Sequence, residues 1–191
     1  MIILEGPDNS GKSTLGHLLS ASLEVPLIHS QRCDTSMAES LGMTSEEMCY
    51  THALNQLNPE MIIRDRTYTI SEWVYGNVVR DKSDMGQALH QQAILNLYYR
   101  RYPIIYCRPN NATVLRNNGR EQMPGVLERH NDIIKAYDQL MEEFRIMGLP
   151  VIYYDWQNPG ATESILLKVK KHFDEYRRKK VSSMYITGVR E

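Results

Sequence analysis

At 191 residues, 42% of them hydrophobic and 24% charged, the chain is long enough to bury a full core as one domain and does not require a second. A formal net charge of −1 disfavours a broad polyanion-binding surface, so nucleic acid is not expected as a partner and any anion must be met by local groups. Cys33, Cys49 and Cys107 form no C-x-x-C pair, no stretch nears the roughly 20 apolar residues of a membrane span, and the first motif leaves no room for a signal peptide, so free thiols, no structural zinc, no membrane partner and a cytoplasmic location are expected.

Ile2 to Glu5 reads as a short strand, and "GPDNSGKS", Gly6 to Ser13, fits G-x-x-x-x-G-K-[ST] at every fixed position. Leu15, Leu18, Leu19 and Leu23 then recur at helical spacing, predicting a helix from Lys12 to about Leu23. Val25 to His29 is a second strand leading into "SQRC". Met37 to Leu57 is expected as helix, broken near Gly42, with Thr44 as N-cap ahead of Glu47. "EMIIRDR" supplies the third strand.

Beyond it, Ser71 to Val79 and Gly86 to Tyr102 read as helices, the second stopped by Pro103. "PIIYC" is the fourth strand, and Ile133, Ile134, Tyr137, Leu140, Met141 and Phe144 mark a long helix closed by Gly148 and Pro150. "VIYYD" is the fifth strand, and Ile165, Leu166, Val169, Phe173 and Tyr176 mark a last helix, followed by "RRKK" and a weakly patterned tail. Strands separated throughout by helices indicate a parallel sheet covered on both faces.

The glycine-bracketed lysine carries the first chemistry. A strand feeding a glycine-rich turn into a helix aligns backbone N–H groups and the positive end of the helix dipole on one spot, suited to phosphate oxygens. Asn9, Ser10, Gly11, Lys12, Ser13 and Thr14 are thus the expected ATP-binding residues, with the Lys12 ammonium for the terminal phosphates and the Ser13 hydroxyl for Mg2+. Asp65, closing the third strand, either holds Mg2+ through water or caps a loop. Arg66, just past that strand, either meets a ligand or forms a surface ion pair, and Arg32 stands in the comparable place after the second strand. Arg116 and Arg120, four apart in the turn-prone "LRNNGREQ", read either as arginines that swing over a bound triphosphate or as a solvated charged loop.

Together "ILEGPDNSGKST", "DRTYTISEWVYG" and "LRNNGRE" resemble the P-loop, the D-R-x-x-x-S-x-x-x-Y segment and the LID of thymidylate kinases and related deoxynucleoside monophosphate kinases, over roughly Ile2 to Asp155. The resemblance implies a three-layer α/β P-loop NTPase fold, with a five-stranded parallel sheet in the order 2-3-1-4-5 and helices on both faces. It also implies a single kinase domain over 1–180 with a LID near 109–125, a tail over 181–191, and the homodimers common in that family. In it Glu5 and Asp8 are the acidic residues of E-G-x-D-x-x-G-K, Asp8 faces the acceptor's sugar and the arginine of the D-R pair, and Arg66 clamps the acceptor's phosphate with Arg32 as helper. Tyr75 lines the sugar or base pocket, and Arg116 and Arg120 close on the donor.

This chain departs from the family pattern at several places. Asn9 stands where some thymidylate kinases carry an arginine, Ser71 and Tyr75 sit one residue further from Asp65-Arg66, and Gly76 replaces a glutamine. The expected reaction is transfer of the γ-phosphate of Mg-ATP to a deoxynucleoside monophosphate, since a monophosphate needs arginines and no general base. Its rivals are a deoxynucleoside kinase acting on a hydroxyl, and a P-loop switch or ATPase without an acceptor.

Overall fold

Every residue of Ile2–Glu5 and of Ile104–Cys107 is buried, as strands covered on both faces must be. The computed structural model describes residues 1–58, 60–110 and 124–186. Its strands are β1 (Ile2–Glu5), β2 (Leu27–His29), β3 (Ile63–Asp65), β4 (Ile104–Cys107) and β5 (Val151–Tyr154). All pair in parallel, in the order β2-β3-β1-β4-β5, the order that the resemblance implies. The helices are α1 (Lys12–Leu23), α2 (Ser45–Asn55), α3 (Trp73–Val79), α4 (Gln87–Arg100), α5 (His130–Ile146) and α6 (Ala161–Ile186).

Successive strand residues point to opposite faces, and the two cores divide accordingly. Ile3, Ile104 and Tyr106 pack with Val74 of α3, Leu97 of α4 and Ile133, Tyr137 and Phe144 of α5. Ile2, Leu4, Ile105 and Cys107 pack with Leu15 and Leu19 of α1 and Ile165, Val169 and Phe173 of α6. A smaller cluster of Cys49, Ala53, Tyr68, Met85 and Ala93 joins α2 to α4.

Leu4 lies opposite both Asp65 and Ile105, and Arg66 N donates to Leu4 O at 2.9 Å. The residues after β1 and β3 therefore emerge side by side at the C-terminal edge, where parallel sheets gather ligands.

The break near Gly42 and the Thr44 cap are as the sequence leads one to expect, and two other elements differ from expectation. Gly42 (φ 68) ends a short 3-10 turn over Glu39–Leu41, and α2 then starts on a full capping box, with Glu47 N on Thr44 Oγ1 (3.2 Å) and Thr44 N on Glu47 Oε2 (2.8 Å). The helix expected from Ser71 begins earlier, as a π-type turn over Tyr68–Glu72 that runs into α3. The last helix continues past Tyr176 to Ile186; no glycine or proline stands between Gly160 and Gly188 to break it.

Candidate active site

Gly6 (φ 140) opens the P-loop against β4: a Cβ there would lie 2.4 Å from Cys107 O, so only glycine fits. Asn9 (φ 60) and Gly11 (φ 87) turn the chain into α1, whose first residue is Lys12. Thus Asn9 to Thr14 form the loop-to-helix junction whose N–H groups suit phosphate oxygens. Lys12 is buried and folds back on its own loop, donating to Pro7 O (2.6 Å) and Ser10 Oγ (3.3 Å). Burial, then the Arg66 charge, lower its ammonium to about 8, against an opposing pull from Asp8.

Arg66 holds a left-handed backbone (φ 71), a conformation rare for a non-glycine residue. Its Nη2 donates to Asp8 Oδ1 at 2.6 Å and Tyr75 OH at 3.1 Å, and its Nη1 to Tyr137 OH at 2.7 Å and Ser71 Oγ at 3.2 Å. Beneath it lies the buried carboxylate of Glu5, which accepts from Thr67 N (2.6 Å), Thr67 Oγ1 (3.0 Å), Ser71 Oγ (2.9 Å) and Tyr137 OH (3.3 Å). Burial pushes the Glu5 carboxyl up; Arg66 and these donors pull it down. For Arg66, burial opposes the charge, and Tyr137, Tyr75, Asp8 and Glu5 outweigh it, so the guanidinium stays charged.

The π-type turn explains how Ser71 and Tyr75 both reach Arg66 although each is one residue further along the chain than the family pattern has it. A π turn absorbs one extra residue in a helix, which brings the later positions back into register. His90 Nε2 meets Thr69 O within this turn at 2.8 Å, and its ring stacks on Trp73 at 3.9 Å between centroids.

At the loop's other side, Ser13 Oγ donates to Asp65 Oδ2 at 2.9 Å, and His29 Nδ1 meets the same oxygen at 3.1 Å. Asp65 Oδ1 is buried with no hydrogen-bond partner among the described residues. A hydroxyl beside a carboxylate with a spare oxygen is a fitting donor set for Mg2+, a cation that takes oxygen ligands and keeps several waters.

Asp8, Arg32, Arg66 and Tyr75 line one cavity of about 230 Å3, so the four residues read as acceptor-binding come together. Arg32 reaches it with its Nη2 3.8 Å from Asp84 Oδ2. The same cavity is lined by Glu72 and Arg80, which bond to each other and which sequence reasoning passed over. The signal was present: Glu72, Gly76 and Arg80 are spaced by four, on one helical face. Spacing marks Tyr137 only as an inward residue of α5, and its hydroxyl contact to Arg66 depends on how that helix packs, which spacing does not encode.

A second cavity, of about 340 Å3, lies among Arg108, Asn110, Asp138, Tyr153, Asp155 and Asn158. Arg108 grips Asp138 through Nε (3.0 Å) and Nη2 (3.1 Å), Tyr106 OH reaches Asp138 Oδ1 at 2.6 Å, and Asn110 N donates to Asp155 Oδ2 at 3.1 Å. These bonds fix the start of the segment read as a LID. Arg116 and Arg120 lie outside the described residues.

No protein-family model matches the chain, and no curated protein matches it in sequence. Solved structures match it in fold. The YorR protein of Bacillus subtilis, in complex with phosphorylated GDP, is 22% identical over 93% of this chain and 97% of its own, with a TM-score of 0.65. Deoxyadenosine kinase from M. mycoides with bound dATP is 21% identical over 88% and 97%, with a TM-score of 0.56. Thymidylate kinase from Candida albicans is 12% identical over 92% and 91%, with a TM-score of 0.52. These likenesses show the fold, a five-stranded parallel sheet covered on both faces, shared with proteins of which two are named as kinases. Among the described residues no helix is long and apolar enough to cross a membrane.

Proposed function

We propose that this chain transfers the γ-phosphate of ATP to a deoxynucleoside monophosphate, yielding a deoxynucleoside diphosphate and ADP. The observation that carries the reading is the Arg66–Asp8 pair: it joins the phosphate-binding loop to a cavity of nucleotide scale that also receives Arg32. Two anionic groups, one on the loop amides and Lys12, the other on guanidinium groups, would lie next to each other. That two of the fold neighbours carry phosphorylated GDP and dATP supports a nucleotide as ligand.

In this reading Lys12 leaves Pro7 O and Ser10 Oγ for the terminal phosphates, exchanging a carbonyl for a full negative charge. Arg66 meets the acceptor phosphate while Tyr137, Ser71 and Tyr75 keep its plane fixed, and Asp8 turns toward the sugar. An acceptor oxygen attacks the γ-phosphorus and the bond to the ADP oxygen breaks; such a transfer asks the protein for positioning and charge neutralisation. Ser13 and Asp65 would hold Mg2+, which supplies charge neutralisation on the phosphates. Arg116 and Arg120, in a LID near 109–125, would close over the donor and exclude water.

The Asp8 carboxylate in the cavity also favours a second reading, deoxynucleoside phosphorylation with Asp8 as base. Arg66 Nη2 at 2.6 Å ties up that carboxylate, and the chain after β2 offers the cavity Gln31 and Arg32 and no acid, so the monophosphate reading is preferred. An ADP-release assay with deoxynucleosides and their monophosphates separates the two. Monophosphates alone should support turnover, and Lys12→Ala and Arg66→Ala, checked for folding by circular dichroism, should each lower kcat/KM by about 10²-fold or more. Turnover of nucleosides alone, or monophosphate turnover surviving in both variants, contradicts the assignment.

A further inference from the structure

The acceptor cavity contains a second charged cluster that phosphate binding does not use. Glu72, Gly76 and Arg80 share one helical face, and a Cβ at Gly76 would lie 2.7 Å from Glu72 Oε1, 2.8 Å from Ser83 Cα and 3.1 Å from Arg80 Nη2. Only glycine leaves room for that packing. The Glu72 side chain is 6% exposed and that of Arg80 25%. Glu72 Oε1 accepts from Arg80 Nη2 and from Asp84 N, the latter at 3.0 Å, and Arg80 Nη2 lies 3.4 Å from Asp84 Oδ2. Arg80 Nε has no hydrogen-bond partner among the described residues.

The balance of donors and acceptors follows from these bonds. One oxygen of the Glu72 carboxylate is used twice by the protein itself, whereas the guanidinium, with five N–H groups, spends those on Nη2 and buries Nε, leaving the pair on Nη1 for a ligand. Arg80 therefore offers donors to this wall of the cavity. Arg66 is tied to Asp8 of the phosphate loop and Arg80 to Asp84 beyond α3, so an acceptor with its phosphate on the first would have the second left for its base.

We propose that Arg80, held by Glu72 in the space left by Gly76, selects the acceptor's base by donating to the oxo group at pyrimidine C4 or purine C6, favouring thymine, uracil or guanine over cytosine and adenine, which carry an amino group at that position. An amino group at that position would set donor against donor and leave buried polar groups unpaired, a costly mismatch in a recognition site. The inference rests on the nucleotide-acceptor reading above.

The test is calorimetric binding of dTMP, dUMP, dGMP, dAMP and dCMP without donor, to the native chain and to Arg80→Met and Arg80→Lys variants whose thermal melting is followed in parallel. At least one of dTMP, dUMP and dGMP should bind about tenfold or more tighter than both dAMP and dCMP. Arg80→Met should bring the five to within a few-fold of each other, with Arg80→Lys in between. Tighter binding of dAMP or dCMP by the native chain, or a loss in Arg80→Met shared equally by all five, overturns the proposal. If only the corresponding deoxynucleosides bind, the monophosphate reading fails while base selection is scored on them by the same ratios. If neither series binds, both fail.

Discussion

Lys12 shows most plainly how a single residue couples structure to function. In the free protein burial lowers its ammonium to about 8, well below the ordinary lysine value of about 10.4. Phosphate oxygens arriving at the loop favour the charged form and raise it again. Between those values binding must take up a proton, and by linkage the affinity for ATP falls as pH rises through 8. Calorimetry at pH 9 in buffers of differing ionisation heat should record uptake approaching about one proton per ATP, absent in Lys12→Met; no uptake in the native chain contradicts the coupling. Lys12, Ser13 and Gly6 were legible in the sequence because a phosphate loop is contiguous, its chemistry set by backbone within one turn. Tyr137 and His29 were not, since each acquires its partner from a distant segment: Tyr137 meets Arg66 across 71 positions, and His29 meets Asp65 across 36.

Among the elements, the π-type turn over Tyr68–Glu72 does most to shape the site. The one-residue lengthening that places Ser71 and Tyr75 late relative to Asp65-Arg66 was visible in the sequence, but its consequence was not. A longer spacing is equally compatible with the two side chains missing Arg66, and only the wide turn brings them back to it. His90 clasps that turn through Thr69 O and Trp73. Burial lowers its imidazole to about 4, partly offset by the bond to Thr69, so the ring is neutral near pH 7. Its folded value lies below the unfolded one of about 6.5; the unfolded chain then binds more protons between the two, and stability is lost as pH falls from 6.5 toward 4. The contribution is on the order of 3 kcal/mol over that window. His90→Gln, which keeps a donor and does not titrate, should show a flatter loss of urea stability between pH 7 and 4.5; an unchanged acid limb argues against His90 as the clasp.

For the whole molecule, the strands were legible because parallel strands buried on both faces read as short apolar runs, and the helices because their apolar period is unbroken. The order β2-β3-β1-β4-β5 came through resemblance alone, as alternation of strand and helix permits several parallel orders. That order places the ends of β1 and β3 next to each other and so sets Asp8 against Arg66. The central claim, two nucleotide phosphates gathered side by side at that edge, has a direct test: binding of a bisubstrate compound in which adenosine and a deoxynucleoside are joined through a chain of five phosphates. Spanning both halves should give affinity about 10² to 10⁴ above that of ATP or the monophosphate alone, with the gain removed by either Lys12→Ala or Arg66→Ala. A compound that binds no tighter than ATP, or whose gain survives in Arg66→Ala, would contradict the account.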